Sequence, residues 1–316
     1  MSNNVILGSG LSGLIWAYTH PDHMIISNNV GGFVSNKMQE LMVTIFYTEN
    51  TSRLFGELNI NRVKNTYKIR YYHNNEILEI VTPELKQLYV KRKTGECPEI
   101  HTDPDIKLGS ENNHYNFLHI DMHELINALE KKVKDRIIIG EIVGISENYI
   151  KVLQKGQSEP IMMSYNKLVS TLPATVFWTL YSSESCAPEM KSNASTYILT
   201  NSIPKSLQNT NSWNNLYLID DEFPFHRIIH KFVSANYVLE FAGKHTKEAL
   251  SLLLKSYDVE VLDYSCLNYA IADCASSKLN VAPKKYIQFL GRFAERNHRI
   301  KIDNVLDRAY ADVDKK

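Results

Sequence analysis

The sequence predicts an α/β fold with a parallel sheet flanked by helices, and three observations carry that expectation. The first is Gly8-Ser9-Gly10-Leu11-Ser12-Gly13, a G-x-G-x-x-G set directly after the apolar run Val5-Ile6-Leu7 and before the helical pattern Leu14, Ile15, Ala17, Tyr18. The second is another short apolar run, His23-Met24-Ile25-Ile26-Ser27, which ends in the turn formers Asn28 and Asn29 and reads as the next strand. The third is the recurrence of short strand-like runs around helix-period segments further along the chain. Strand, glycine turn, helix and strand in that order make a Rossmann-like dinucleotide-binding unit.

Each glycine has a physical task. Gly8 permits the tight turn, Gly10 lets the backbone approach a pyrophosphate with no Cβ in the way, and Gly13 lets the helix lie close on the strand. The free N–H groups at the helix start, from Leu11 and Ser12 onward, then face the phosphates with the positive end of the helix dipole. An acid normally ends the second strand and takes the ribose hydroxyls. Here the candidates are Ser27 and Asn28, which hydrogen-bond but bring no charge, and Gly31 and Gly32 follow at once.

The remaining elements are read in chain order. Thr51–Leu58 is a short amphipathic helix, and residues 66–81 alternate as paired strands around a turn at His73-Asn74-Asn75. Residues 94–116 read as a loop. Asp121 caps a helix with Leu125, Ile126, Leu129 and Val133 on one side. Ile137–Ile139, Glu141–Ile145, Tyr149–Leu153 and Lys167–Leu172 are strands, and residues 182–215 are too polar to assign. Leu216–Ile219, Ile228–Phe232 and Tyr237–Ala242 restore a β pattern before a helix through Ala249–Leu254. Tyr286–Leu290 is a late strand, and Asp303 is expected to cap a final helix through Val305, Leu306 and Ala309.

At 316 residues the chain can bury a large core, as one domain with an inserted lobe or two interleaved ones. With 35 basic and 35 acidic residues, net charge gives no general attraction to nucleic acid or to an anionic membrane. No apolar stretch is long enough to span a membrane and no secretory leader is visible, so a cytoplasmic protein is expected. Cys97, Cys186, Cys266 and Cys274 lack metal-ligand or disulfide-framework spacing, and no metal is expected.

The order of elements resembles the FAD-binding flavoproteins of the monoamine-oxidase-like and UDP-galactopyranose-mutase-like superfamily. The resemblance runs in blocks. Gly8–Gly13 with Gly31-Gly32 matches its glycine signature. Thr44–Thr48 is similar to a mutase segment that carries a flavin-stacking histidine, with Thr44 where the histidine is expected. Asp121–Ile145 is similar to a helix-plus-strand block in which a valine, here Val143, meets the adenine, and Leu168–Pro173 to the strand that returns under the cofactor. Phe225–His230 is similar to a stretch whose arginine, here Arg227, binds a substrate diphosphate. Gly291-Arg292, with Asp303-Asn304-Val305, is similar to the block whose helix start faces the flavin pyrimidine edge.

The resemblance implies FAD as cofactor, bound by a glutathione-reductase-like domain with an inserted mixed β/α substrate lobe. Residues 1–60, 118–180 and 280–316 would form the FAD-binding domain, and 61–117 with 181–279 the lobe. The activity implied is amine-oxidase-like oxidation of a small, optionally phosphorylated, substrate by hydride transfer to flavin N5. A sugar-nucleotide mutase and a non-catalytic nucleotide-binding protein on the same scaffold are the alternatives. No residue is singled out as catalytic. An arginine beside a strand is often only an ion-pair partner, so Arg227 carries both readings. His226 and His230 are expected on the face opposite Arg227. Arg296, His298, Arg299 and Lys301 read either as a solvated turn or as a positive rim for a phosphorylated substrate or a nucleic-acid end.

Overall fold

The computed structural model describes residues 3–32, 45–94, 114–181, 192–208, 213–230, 236–272, 286–291, 294–295 and 301–315. The chain opens with β1 (Asn4–Gly10), α1 (Leu11–Thr19) and β2 (His23–Gly31), then β3 (Ile45–Phe46), α2 (Glu49–Glu57), β4 (Val63–His73), β5 (Glu76–Leu78) and α3 (Pro83–Thr94). β6 (His114–His119) and α4 (Met122–Val133) follow, then β7 (Ile137–Ile139), β8 (Glu141–Ile145), β9 (Tyr149–Leu153), β10 (Ile161–Ser164), β11 (Lys167–Ser170) and α5 (Ala174–Tyr181). The last part runs through β12 (Ser192–Thr200), α6 (Lys205–Gln208), β13 (Asn215–Leu218), β14 (Arg227–His230), β15 (Tyr237–Ala242), α7 (Lys247–Lys255), β16 (Asp263–Ala272), β17 (Ile287–Phe289) and α8 (Ile302–Val313).

β1 is buried from Asn4 to Leu7 because it lies inside a five-stranded parallel sheet of order β17-β11-β1-β2-β7. Alternation along β1 sends Ile6 to one face, where it packs with Leu14, Leu125, Leu129, Val305 and Leu306 from α1, α4 and α8. Val5 and Leu7 point the other way, into a core with Ile150, Val152, Phe177 and Trp178 from β9 and α5. This two-sided burial is what continuous apolar runs in short strands mean. Arg136 locks the layer from below: Nη1 donates to the carbonyls of His20 (3.1 Å) and His23 (2.9 Å), and Nη2 to that of Ala17 (2.8 Å). Ala17 O lies in the last turn of α1, whose carbonyls lack intrahelical partners, and His20 O also accepts from His23 N–H at 3.1 Å.

A second, mixed sheet has the order β16-β12-β15-β14-β13-β4-β6-β3, with β5 on β4. One face packs Tyr72, Ile198, Leu216, Leu218, Ile228, Leu239 and Phe241 against α7. The other carries Tyr71 and Tyr217 under Tyr89 of α3. Arg92 of α3 donates to the carbonyls of Leu218, Asp220, Phe223 and Phe225, tying that helix to the loop before β14. Among the described residues no helix is long and apolar enough to cross a membrane.

Several expectations hold as drawn. Asp121 accepts from the N–H groups of His123 (2.8 Å) and Glu124 (3.2 Å), and Asn74 and Asn75 turn the β4–β5 hairpin with positive φ. Others need correction. Asp303 does not cap α8: Lys301 is the N-cap, Asn304 Oδ1 accepts its N–H at 2.9 Å, and Asp303 lies in the first turn. α3 escapes the periodicity reading because its apolar residues make no single stripe, and the signals that were present are Thr82, whose hydroxyl accepts from Leu85 N–H, and Pro83 at the first helical position. β12 looks too polar for a strand, yet Ser195, Thr196 and Thr200 are buried in it. Thr196 and Thr200 satisfy their hydroxyls on the carbonyls of Gly243 (2.8 Å) and Ser202 (3.0 Å).

Candidate dinucleotide site and substrate face

Gly8 turns β1 into α1 with φ +94°, the left-handed region that favours glycine. A Cβ on Gly13 would meet Gly8 O at 2.1 Å, so helix and strand touch at that point. Gly10 differs from both. Its φ of −63° and ψ of 173° suit any residue, and a Cβ there would have nothing within 4 Å. The open space above Gly10 lies at the start of α1, which has no side-chain cap and no acid in its first turn. Its first-turn N–H groups, including those of Leu11 and Ser12, therefore remain free to meet an anion. Gly31 (φ +88°) pairs with Gly10 in the β1–β2 ladder, and a Cβ on Gly32 would come within 2.9 Å of the Gly10 Cα. This close backbone packing keeps side chains away from the turn, a backbone cradle of the kind expected where a chain approaches a pyrophosphate.

The C-terminal block closes on the same point. Leu290 N–H donates to Ser170 O (2.9 Å), and Gly291, at φ +95°, sits so near α1 that a Cβ would lie 2.8 Å from Ser12 Oγ. Glu295 holds this turn by accepting from Gly291 N–H at 2.9 Å and pairing with Arg308 of α8 at 2.6 Å. α8 starts beside β3, where Lys301 Nζ lies 4.3 Å from the centre of the Phe46 ring. Asn304 is engaged in the cap and Val305 in the core, so the backbone N–H groups of Ile302 and Asp303 form the open helix start. Burial pushes the Asp303 carboxyl up. Arg292, Arg296, His298, Arg299, Thr44, Cys97, Cys186 and Cys274 lie outside the described residues.

At the far end of the cradle the two ribose candidates separate. Ser27 is buried, accepts from Ser9 N–H (3.2 Å) and donates to Asn29 O (2.8 Å), and the Ser9 hydroxyl donates to that same carbonyl. Asn28 is exposed. Val143, the adenine candidate, is 41 % exposed on β8.

The substrate-face candidate, Arg227, stands in a row that crosses the mixed sheet: Tyr197, Glu240, Arg227, Tyr217 and Tyr71 are direct cross-strand neighbours. Arg227 Nε lies 2.5 Å from Glu240 Oε2, and the Tyr197 hydroxyl donates to Oε1 at 3.0 Å. The Arg227 side chain is 18 % exposed and that of Glu240 only 2 %. His226 was expected opposite Arg227. Instead its Nε2 lies 3.5 Å from the same Glu240 oxygen, because β14 begins at Arg227 and strand alternation does not yet bind the residue before it. Burial alone would push the Glu240 carboxyl up, but Arg227 and His226 outweigh it and hold it well below the usual carboxylate range. Burial lowers His226, against the pull of Glu240. The sequence held a signal for Glu240 that charge counting passes over: it is the lone carboxylate in the apolar run Tyr237–Ala242.

Removing one partner would leave a buried charge uncompensated, so Glu240→Ala is expected to cost about 3–5 kcal/mol, whereas the double change Arg227→Met/Glu240→Leu should be close to neutral. Urea unfolding of the three proteins checks this. The stability linked to Glu240 is fully present above the ordinary Glu value of about 4.3 and is lost as pH falls through the depressed native value. His226, lowered in the native state, also makes stability decline as pH falls below its ordinary value of about 6.5. The double variant removes the Glu240 contribution and keeps that of His226. It should lose less stability than wild type below about pH 4.3, while the decline linked to His226 remains.

No protein-family model matches the chain, and no curated protein matches it by sequence. Solved structures do match over its whole length. Superposition on reduced UDP-galactopyranose mutase gives a TM-score of 0.71 at 13 % identity, covering 99 % of this chain and 95 % of that one. Cyclohexylamine oxidase from Brevibacterium oxydans gives 0.64 at 10 % identity, covering 99 % of both chains. A fatty acid isomerase from P. acnes gives 0.63 at 10 % identity, covering 99 % of this chain and 98 % of that one. The chain therefore has the fold shared by the amine oxidases and UDP-galactopyranose mutase.

Proposed function

We propose that the protein is an FAD-dependent oxidoreductase that oxidises a small amine-like substrate. The cradle at Gly8, Gly10, Gly13, Gly31 and Gly32 would hold the pyrophosphate. Ser12 with Gly291, and the α8 start at Asp303, Asn304 and Val305, would border the flavin. Residues 1–60, 118–180 and 280–316 would then serve as the cofactor-binding part, and 61–117 with 181–279, which carry most of the mixed sheet, as the substrate lobe. When bound, flavin supplies a hydride acceptor at N5. The chain's own part is to orient substrate, exclude water and place the α8 N–H groups where the reduced cofactor gathers negative charge.

One observation supports oxidation over sugar-nucleotide chemistry: Arg227, the residue that would hold a substrate diphosphate, is already neutralised by buried Glu240. An ion pair of this kind is a weak receptor for a multiply charged anion. The similarity in fold to the mutase keeps sugar-nucleotide isomerisation as the second reading. The two separate on anaerobic mixing of the oxidised flavoprotein with putrescine, cyclohexylamine and related amines. Bleaching of the visible flavin bands without added reductant is expected. No bleaching by any amine, together with interconversion of UDP-galactopyranose and UDP-galactofuranose after dithionite reduction, would favour the mutase instead.

A further inference from the structure

Around Ser27, where the β1–β2 register shifts, β2 lacks the acid that a nucleotide ribose usually meets, and Ser27 itself is buried. The carboxylate can come from the neighbouring strand. Ser27 pairs with Ile139 across the β2–β7 ladder, and Gly140 N–H donates to Ser27 O at 2.9 Å. Gly140 thus lies beside Ser27, where the β1–β2 register shifts, and Glu141 is the next residue. Gly140 fits only because it is glycine: a Cβ there would meet Val152 Cγ1 at 2.6 Å and Leu153 O at 3.1 Å. That tight crossing brings β8 against the carboxyl end of the parallel sheet, where open α/β sheets hold their ligands.

Three residues on this crossing are exposed, and Val143 is the extra residue where the β8–β9 register shifts between Ile142 and Gly144. Ile139 is 46 % exposed, Glu141 is exposed and Val143 is 41 % exposed, while Gly140 is buried and Ile142 half-buried between them. Two exposed aliphatic side chains on either side of a carboxylate, beside the exposed Asn28, are arranged as an adenosine would need: apolar surface for the base and an acceptor pair for the ribose diol. Single exposed aliphatics need no explanation, but here they flank an acid beside the stretch of β2 that lacks its own.

We propose that Glu141, reaching from β8, supplies the ribose carboxylate that β2 lacks, with Ile139 and Val143 as the platform for adenine. This rests on the dinucleotide reading of the glycine cradle. A carboxylate accepting from both ribose hydroxyls makes two charge-assisted bonds, which a nucleotide without those hydroxyls cannot replace.

The test measures binding of ADP and of 2′,3′-dideoxy-ADP to the flavin-stripped full-length protein by calorimetry, in wild type, Glu141→Gln and Glu141→Ala. Wild type is expected to prefer ADP by about tenfold to a hundredfold. That preference should fall in Glu141→Gln and vanish in Glu141→Ala, while affinity for dideoxy-ADP stays unchanged. The FAD dissociation constant of the reconstituted protein should weaken in parallel with that for ADP. The inference is overturned if both nucleotides bind wild type equally well, or if Glu141→Ala weakens both by the same factor. Failure of wild type to bind either nucleotide would overturn it together with the cofactor reading, and so is distinct from the first two results.

Discussion

Gly13→Ala is expected to prevent the native fold from forming. The added Cβ would sit 2.1 Å from Gly8 O and 3.2 Å from Gly8 C, and both are backbone atoms of a turn that cannot move aside. On the other side of the contact is α1, whose Leu14, Ile15 and Ala17 are fully buried against the sheet. Relief requires lifting the helix off β1, which opens the core around Ile6, Leu125 and Leu306. Strain of this kind belongs with the largest single-substitution effects, on the order of 4–5 kcal/mol, against a total of about 5–15 kcal/mol for a domain. The expected outcome is insoluble protein or loss of a cooperative urea transition. A soluble Gly13→Ala protein with a midpoint near wild type would mean that helix and strand do not meet as described.

Gly10→Val is expected to do the reverse, keeping the fold and losing the cofactor. The backbone angles at Gly10 are open to valine, and the space a Cβ would enter contains no protein atom within 4 Å. Exchanging glycine for valine at a helix N-cap costs about 1 kcal/mol. That same space is where a pyrophosphate must approach the α1 N–H groups, and a branched side chain fills it. FAD binding should fall by at least about a hundredfold, the loss of roughly 2.7 kcal/mol, with the urea midpoint little changed. Flavin titration of the two purified proteins reads the difference directly. Normal flavin content in a folded Gly10→Val protein would remove the cradle from the site.

The contrast between these two glycines shows how much of the site was legible in the sequence. The G-x-G-x-x-G spacing located the turn. The apolar runs located β1 and β2, whose Val5–Leu7 and Ile25–Ile26 are buried on both faces, and also the part-exposed β7, β8 and β9. Less legible was anything decided by tertiary partners. β12 hides among polar residues because the buried Thr196 hydroxyl bonds to the backbone of Gly243, far along the chain, and that of Thr200 to Ser202 just past the strand. Lys301 displaces Asp303 from the α8 cap because Asn304 closes the cap from inside the helix. Arg227 was visible as a candidate, but its neutralisation was not: Glu240 meets it only through the pairing of β14 with β15. Glu141 was read as a strand residue alone, since its relation to β2 depends on the Gly140–Ser27 hydrogen bond.

The substrate face and the cofactor cradle rest on different residues, so each can fail without the other. Arg227 and Glu240 pair across β14 and β15 of the mixed sheet whatever binds near them. The cradle depends on Gly8, Gly10 and Gly13 and on the uncapped start of α1.

The central claim is that this cradle holds FAD, and the most direct measurement is the visible spectrum of the purified full-length protein, with chromatographic identification of whatever cofactor heat releases. The expected result is the two visible bands of oxidised flavin, with FAD and not FMN released in a ratio approaching one per chain. A colourless protein that takes up no FAD when titrated with it, while remaining folded by its urea transition, would contradict the claim.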